Sequence, residues 1–189
     1  AAIRNPEQGL YQAGLIMAKV GSHDLVPEIY LRALKSISQS VEVKLSVFCE
    51  EELTNQCITE TISQTLFEEL GFRILPDYQR TGSDRTLDDP RRLLEDYEGV
   101  ALSIQALYLD LAREHGLPNA RATGTPGLIV CDYKTKSQPY QLVHSCNGAF
   151  LEMSDLSHGG CLAATVNNDG SIASMTDQDF LVRRRVVSC

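Results

Sequence analysis

"EGVALSIQALYLDLAREHGLPNARATGTPGLIVCDY", residues Glu98–Tyr133, is the stretch on which the fold reading turns. From about Val100 to His115, Leu102, Ala106, Leu109 and Ala112 form one stripe at helical spacing. Ile104, Leu107, Tyr108 and Leu111 broaden that stripe until most of the circumference is apolar. A helix of this kind is buried on several sides. Gly116 and Pro118 end it, because glycine accepts a left-handed cap and proline cannot continue a helix. Extended segments are expected next, over Asn119–Thr125, Gly127–Tyr133 and Tyr140–Cys146. The last two are separated by "KTKSQP", a polar hairpin loop.

Towards the N-terminus the pattern is helical. "NPEQGLYQAGLIMAK", Asn5–Lys19, opens with a capping asparagine and a proline at the first helical position. Asp24–Ser38 reads as a second helix carrying Ile29, Leu31, Leu34 and Ile37. "VEVKLSVFC", Val41–Cys49, alternates like a strand, yet its Ser-rich polar neighbours favour a continuing helix. Thr54–Leu70 places Ile58, Ile62, Leu66, Phe67 and Leu70 on one face, with Gly71 set for a left-handed cap. Pro76–Pro90 is polar and reads as an exposed loop, and "PRRLLEDYEG" starts a short helix with Pro90 at its first position.

Towards the C-terminus, "NGAFL" and "NNDGS" carry turn signals, and "MTDQDFLVRRRVV" closes with a helix capped by Thr176. Helices come first, then one buried helix leading into an antiparallel sheet, which predicts an α+β fold. The expected division is a helical N-terminal lobe over 1–75, an exposed loop over 76–90 and an α+β core over 91–189, forming one compact unit.

Composition narrows the function classes. A formal charge of −8 over 189 residues argues against a nucleic-acid partner, since such affinity rests on neutralising phosphates with Lys and Arg. Arg183–Arg185 reads as a solvated face complementing a helix dipole. No apolar run approaches the ~20 residues that span a bilayer, and no signal-peptide pattern is present. Ala1 in place of Met fits a processed chain or a fragment, and removal of a transit peptide gives such a start. The six cysteines, Cys49, Cys57, Cys131, Cys146, Cys161 and Cys189, are too sparse for a disulfide scaffold. Several lie in apolar runs, where a reduced cysteine packs as a small hydrophobe. The expected compartment is therefore reducing: cytoplasm or an organelle interior.

Taken in order, "LFEELGFRILPDYQ", "LLEDYEGVALSIQALYLDLAREHGLP", "ATGTPGLIV", "VHSCNGAFL" and "DFLVRRRVV" resemble the SirB-type branch of the transglutaminase-like superfamily over roughly Leu10–Val187. The resemblance implies a transglutaminase/papain-like core, with the central helix packed on an antiparallel sheet. Enzymes of this superfamily need a thiol at that helix's N-terminus, a histidine on the adjacent strand and an acid orienting the histidine. The resemblance places the thiol just after Gly99, at Ala101, which has no attacking group. Ser103, two residues on, points about 200° around the helix. The histidine position of a "P-G-H-F" strand falls on Leu128, within Pro126-Gly127-Leu128-Ile129, and the acid position falls near His144. All three depart from the enzyme pattern, and only binding and oxyanion effects survive the loss of a whole triad.

The residues leave alternatives open. Cys131 and His144, on neighbouring strands, could form a displaced thiol–imidazole pair, against the plainer reading of Cys131 as core within "LIVC". His144, Cys146, His158 and Cys161 contain four potential zinc ligands, although "HxC…HxxC" is not a usual spacing. Glu95, Asp96 and Glu98 read as a solvated helix start, and Tyr108 as a core residue with a bonded hydroxyl. The expected function is that of a non-catalytic binding protein, a scaffold or accessory subunit of a multi-subunit assembly of proteins, with no cofactor. The alternatives are a cysteine-type amide hydrolase or acyltransferase using Cys131 and His144, and a regulatory module holding a peptide or ligand in the former active-site groove.

Overall fold

The computed structural model describes residues 9–21, 25–49, 53–74, 90–123, 128–132, 140–144, 150–151 and 176. The capping Asn5, the 76–89 part of the expected loop, the two hairpin loops and the closing helix beyond Thr176 lie outside these residues, as do Cys146, His158, Cys161, Arg183–Arg185 and Cys189.

Helix α1 (Leu10–Gly21) buries Leu10, Tyr11 and Leu15. Helix α2 (Pro27–Phe48) starts with Pro27 in its first turn, where a missing N–H costs nothing. Leu34, Ile37, Val41 and Leu45 form its buried stripe. The two expected segments, Asp24–Ser38 and Val41–Cys49, are thus one helix. No Gly or Pro interrupts Glu28–Phe48, and Val41 and Leu45 continue the spacing begun by Leu34 and Ile37. The alternation that imitated a strand came from Val43 and Val47, which lie on the exposed side.

Helix α3 (Asn55–Ser63) is capped by Thr54, whose side chain accepts the N–H of Cys57 at 3.1 Å. The expected single helix to Leu70 changes at Ser63 into a wider π-helical turn, Gln64–Glu69. Nothing in the sequence marks that change. Gly71 stands at φ 73° and ends the run, as a glycine cap should. Strand β1 (Arg73–Ile74) then pairs in parallel with strand β2 (Glu98–Gly99), which follows helix α4 (Pro90–Glu95). This parallel pair is absent from the sequence reading, because two-residue strands have no periodicity to detect.

Helix α5 (Ala101–Glu114) matches the expected central helix closely, and Gly116 at φ 111° follows its last turn. Every residue from Leu102 to Leu109 is buried. It packs against α1, α3 and α4, and against strands β3 (Arg121–Ala122) and β4 (Leu128–Asp132). With β5 (Tyr140–His144) and β6 (Phe150–Leu151) these make a four-stranded antiparallel sheet in the order β3-β4-β5-β6. Of the expected strand Asn119–Thr125, Arg121–Ala122 form β3 and Asn119 is spent with Pro118 in the turn that leaves α5, while 124–125 lie outside the described residues. One apolar cluster runs from Leu10 through α2, α3 and α5 to Val143 on β5. The result is a mostly helical body carrying a small sheet.

Cys49 and Cys57 are joined by a disulfide, with their Cα atoms 6.2 Å apart. The expectation of reduced, core-packed cysteines fails at this pair. Cys49 caps the end of α2 and Cys57 sits in the first turn of α3, so the two helix ends bring the sulfurs together. Spacing along the chain could not reveal that convergence.

Candidate functional site

The head of α5 is built by the segment before it. Gly99 ends β2 with the side chain of Leu93 so close that a Cβ would overlap it, at 2.8 Å from the Leu93 Cδ1. Any larger residue there would force the buried Leu93 side chain to move. Val100 adopts an extended conformation (φ −79°, ψ 155°), and its carbonyl accepts from the N–H groups of Ser103 and Ile104 at 3.0 and 3.2 Å. Val100 has no side-chain cap to offer, so the chain enters α5 without one. Ala101 is the first helical residue and is half-buried, whereas Ser103 is buried.

The acidic residues before this point are engaged at the surface. Glu95 accepts a hydrogen bond from the Tyr30 hydroxyl, and Asp96 pairs with Arg92 one turn earlier on α4. Glu98 accepts from Arg73 Nε at 2.6 Å across the parallel strand pair. These partners fit a solvated, ion-paired rim. Exposed pairs of this type contribute at most about 1 kcal/mol each.

On the sheet side, Leu128 and His144 are direct cross-strand partners at one end of the β4–β5 pair. The positions assigned by resemblance to the histidine and its acid therefore stand opposite one another. Cys131 pairs with Gln141 instead. Cys131 and the partner of His144 are three residues apart along β4, roughly 10 Å of strand, and at positions of opposite parity. The register does not bring the displaced pair together. Of the four zinc candidates only His144 falls within the described residues, among which no group of three metal-ligating side chains gathers.

Comparison with family models identifies the chain: the model of the transglutaminase-like superfamily matches residues 28–184. The chain belongs to the transglutaminase-like superfamily. Comparison with curated proteins finds no match, and comparison with solved structures finds none either. Within this transglutaminase-like chain, the match starts one residue inside α2 and spans α3, α4, α5 and the sheet. No helix of the described residues is long and apolar enough to cross a membrane.

Two polar groups on α5 do what the apolar pattern conceals. The Tyr108 hydroxyl donates to the Thr59 carbonyl at 2.9 Å, so the Ser63 hydroxyl 3.0 Å away must be the donor in its contact with Tyr108. Tyr108 thus ties α5 to α3 as a core residue with a bonded hydroxyl.

Asp110 is the residue that sequence reasoning missed. Its carboxylate reaches across to α1 and accepts from the N–H of Leu10 at 2.6 Å and of Tyr11 at 2.8 Å. It therefore caps a helix about a hundred residues earlier in the chain. Burial pushes its carboxyl from 3.8 up to about 6, against the opposing pull of those backbone donors and of Arg113. The available signal was a lone carboxylate inside an otherwise apolar helix, which needs a partner wherever it is buried.

Proposed function

We propose that this transglutaminase-like chain is a non-catalytic member of the SirB-type branch that works by binding other proteins, as a scaffold or accessory subunit of a larger assembly. The observation that carries the reading is Ala101 at the head of α5, immediately beyond the β2 strand. In relatives with thiol chemistry the resemblance assigns that position to the nucleophile, where first-turn N–H groups favour a thiolate. A methyl group there has nothing to ionise. The register adds support. Leu128 and His144, facing across β4 and β5, are a leucine and an imidazole where the chemistry asks for an imidazole and a carboxylate. Leucine cannot relay a proton, so the position assigned to the base carries no group that could activate a thiol or a hydroxyl.

The hydrolase alternative needs Cys131 and His144 within about 3 Å of each other in a productive complex. Their offset along the β4–β5 register gives it no support.

The test has two arms. The full chain is incubated with a glutamine-containing peptide and a fluorescent amine, and separately with simple amide substrates. Product no greater than in a chain-free control is expected, and turnover abolished by Cys131→Ser would sink the reading. The second arm is native purification with mass determination. Recovery in a stoichiometric complex with other polypeptides is expected, and recovery of the chain only as a lone monomer would count against a scaffold role.

A further inference from the structure

The Cys49–Cys57 disulfide lies outside the site just described and joins the end of α2 to the start of α3. We infer that this pair is a reversible thiol–disulfide clip at the protein surface, opened by small thiols with Cys57 as the leaving sulfur and without loss of the fold.

Access is the first reason. Both cysteines are half-buried, and Phe48 and Leu53 beside them are exposed, so an external thiolate can reach the bond. Independence of the core is the second. The α2–α3 contact is held below the clip by Leu45, Ile58, Ile62 and Leu66, all buried in the main cluster. Lys44 of α2 also binds Thr65 and Glu69 beyond α3. The helix ends keep their own hydrogen bonds: the Cys49 N–H donates to the Leu45 carbonyl at 3.0 Å, and the Cys57 N–H to Thr54 Oγ1 at 3.1 Å. A sequence separation of 8 closes a short loop, for which cross-linking removes less entropy from the unfolded chain than a long loop would.

Polarity of the two helix ends is the third reason, and it sets the direction of attack. Cys57 lies in the first turn of α3, where the positive end of the helix dipole stabilises a thiolate. Cys49 caps the end of α2, where the last carbonyls oppose one. The better leaving thiolate departs, so the incoming thiol attacks the Cys49 sulfur. The sequence balances. A first small thiol, as its thiolate, forms a mixed disulfide with Cys49 and expels the Cys57 thiolate, which takes up the proton. A second small thiol attacks the sulfur of the first, forming the small-molecule disulfide and releasing the Cys49 thiolate to be protonated. Two electrons pass from two small thiols to the protein disulfide.

The experiment uses the full chain equilibrated in buffers of graded glutathione to glutathione-disulfide ratio. Samples are quenched in acid and labelled with a maleimide, and each cysteine is read by peptide mass spectrometry. Cys49 and Cys57 are expected to gain label together as the ratio rises, while the far-UV circular dichroism stays unchanged. After full reduction, the Cys57 peptide is expected to alkylate about threefold faster or more than the Cys49 peptide at neutral pH. A bond that stays closed in excess reduced glutathione, or that opens only with loss of the dichroism, overturns the reversible clip. Faster alkylation at Cys49 overturns the assignment of the leaving sulfur. No variant is needed, so a failure to fold cannot obscure the outcome.

Discussion

Helices α2 and α5 face their surroundings in opposite ways. The 22-residue α2 buries a single stripe, Leu34, Ile37, Val41 and Leu45, and leaves Val43, Val47 and Phe48 more than half exposed. The 14-residue α5 is enclosed on several sides by α1, α3, α4 and the sheet. The shorter helix carries the core and the longer one covers it. What differs is the number of neighbours that need its side chains, and that number is set by the fold around each helix. Burial follows enclosure, not length.

The largest expected effect tests that contrast directly. Leu107→Ala opens a cavity at the centre of α5 and should lower unfolding stability by about 3–5 kcal/mol, whereas Val47→Ala on α2 should stay within about 0.5 kcal/mol. Chemical denaturation of both variants is the measurement, and comparable losses would erase the distinction between the two helices.

A smaller effect concerns Asp110, the charged group on the enclosed helix. Its carboxyl titrates near 6 in the folded state against 3.8 in the unfolded reference, so the folded state holds the proton more tightly. The associated stability is fully present below about pH 3.8 and is lost as pH rises through about 6. Asp110→Asn cannot titrate. The stability advantage of the wild type over that variant should therefore shrink by about 2–3 kcal/mol between pH 4 and 7. An advantage that grows over this range would show that the α1 N–H groups outweigh the burial of the charge.

The smallest expected effect sharpens the role of Tyr108. Tyr108→Phe keeps the ring but leaves the Thr59 carbonyl and the Ser63 hydroxyl without their shared partner, at a cost of about 1–2 kcal/mol. A neutral outcome, read in the same denaturation experiment, would mean that α3 and α5 are held by apolar packing alone.

Much of the helical framework was legible before any coordinates. α5 could be read because its apolar residues are dense enough to leave no polar face, and the α3 segment because Ile58, Ile62 and Leu66 share one face ahead of the Gly71 cap. The continuation of α2 through Val41–Phe48 was readable only against a competing strand pattern, because an exposed Val43 and Val47 imitate strand alternation. The parallel pairing of Arg73–Ile74 with Glu98–Gly99 was illegible, since two residues carry no period and their partners are far apart in the chain. At the candidate site, the identity of Ala101 is plain in the sequence, but the pairing of Leu128 with His144 and of Cys131 with Gln141 depends on strand register. A single-residue offset in register changes every partner and turns every side chain to the other face.

The sequence alone determined where helices form, that the segment after Gly99 is enclosed, and that no thiol stands at its head. Side-chain type and local spacing act over a few residues, and those properties need nothing more. Only the tertiary structure decided that Asp110 caps α1, that Cys49 meets Cys57, and that Leu128 faces His144. Each of these joins groups through space, and the distance between two groups in a folded chain is set by the packing of everything between them.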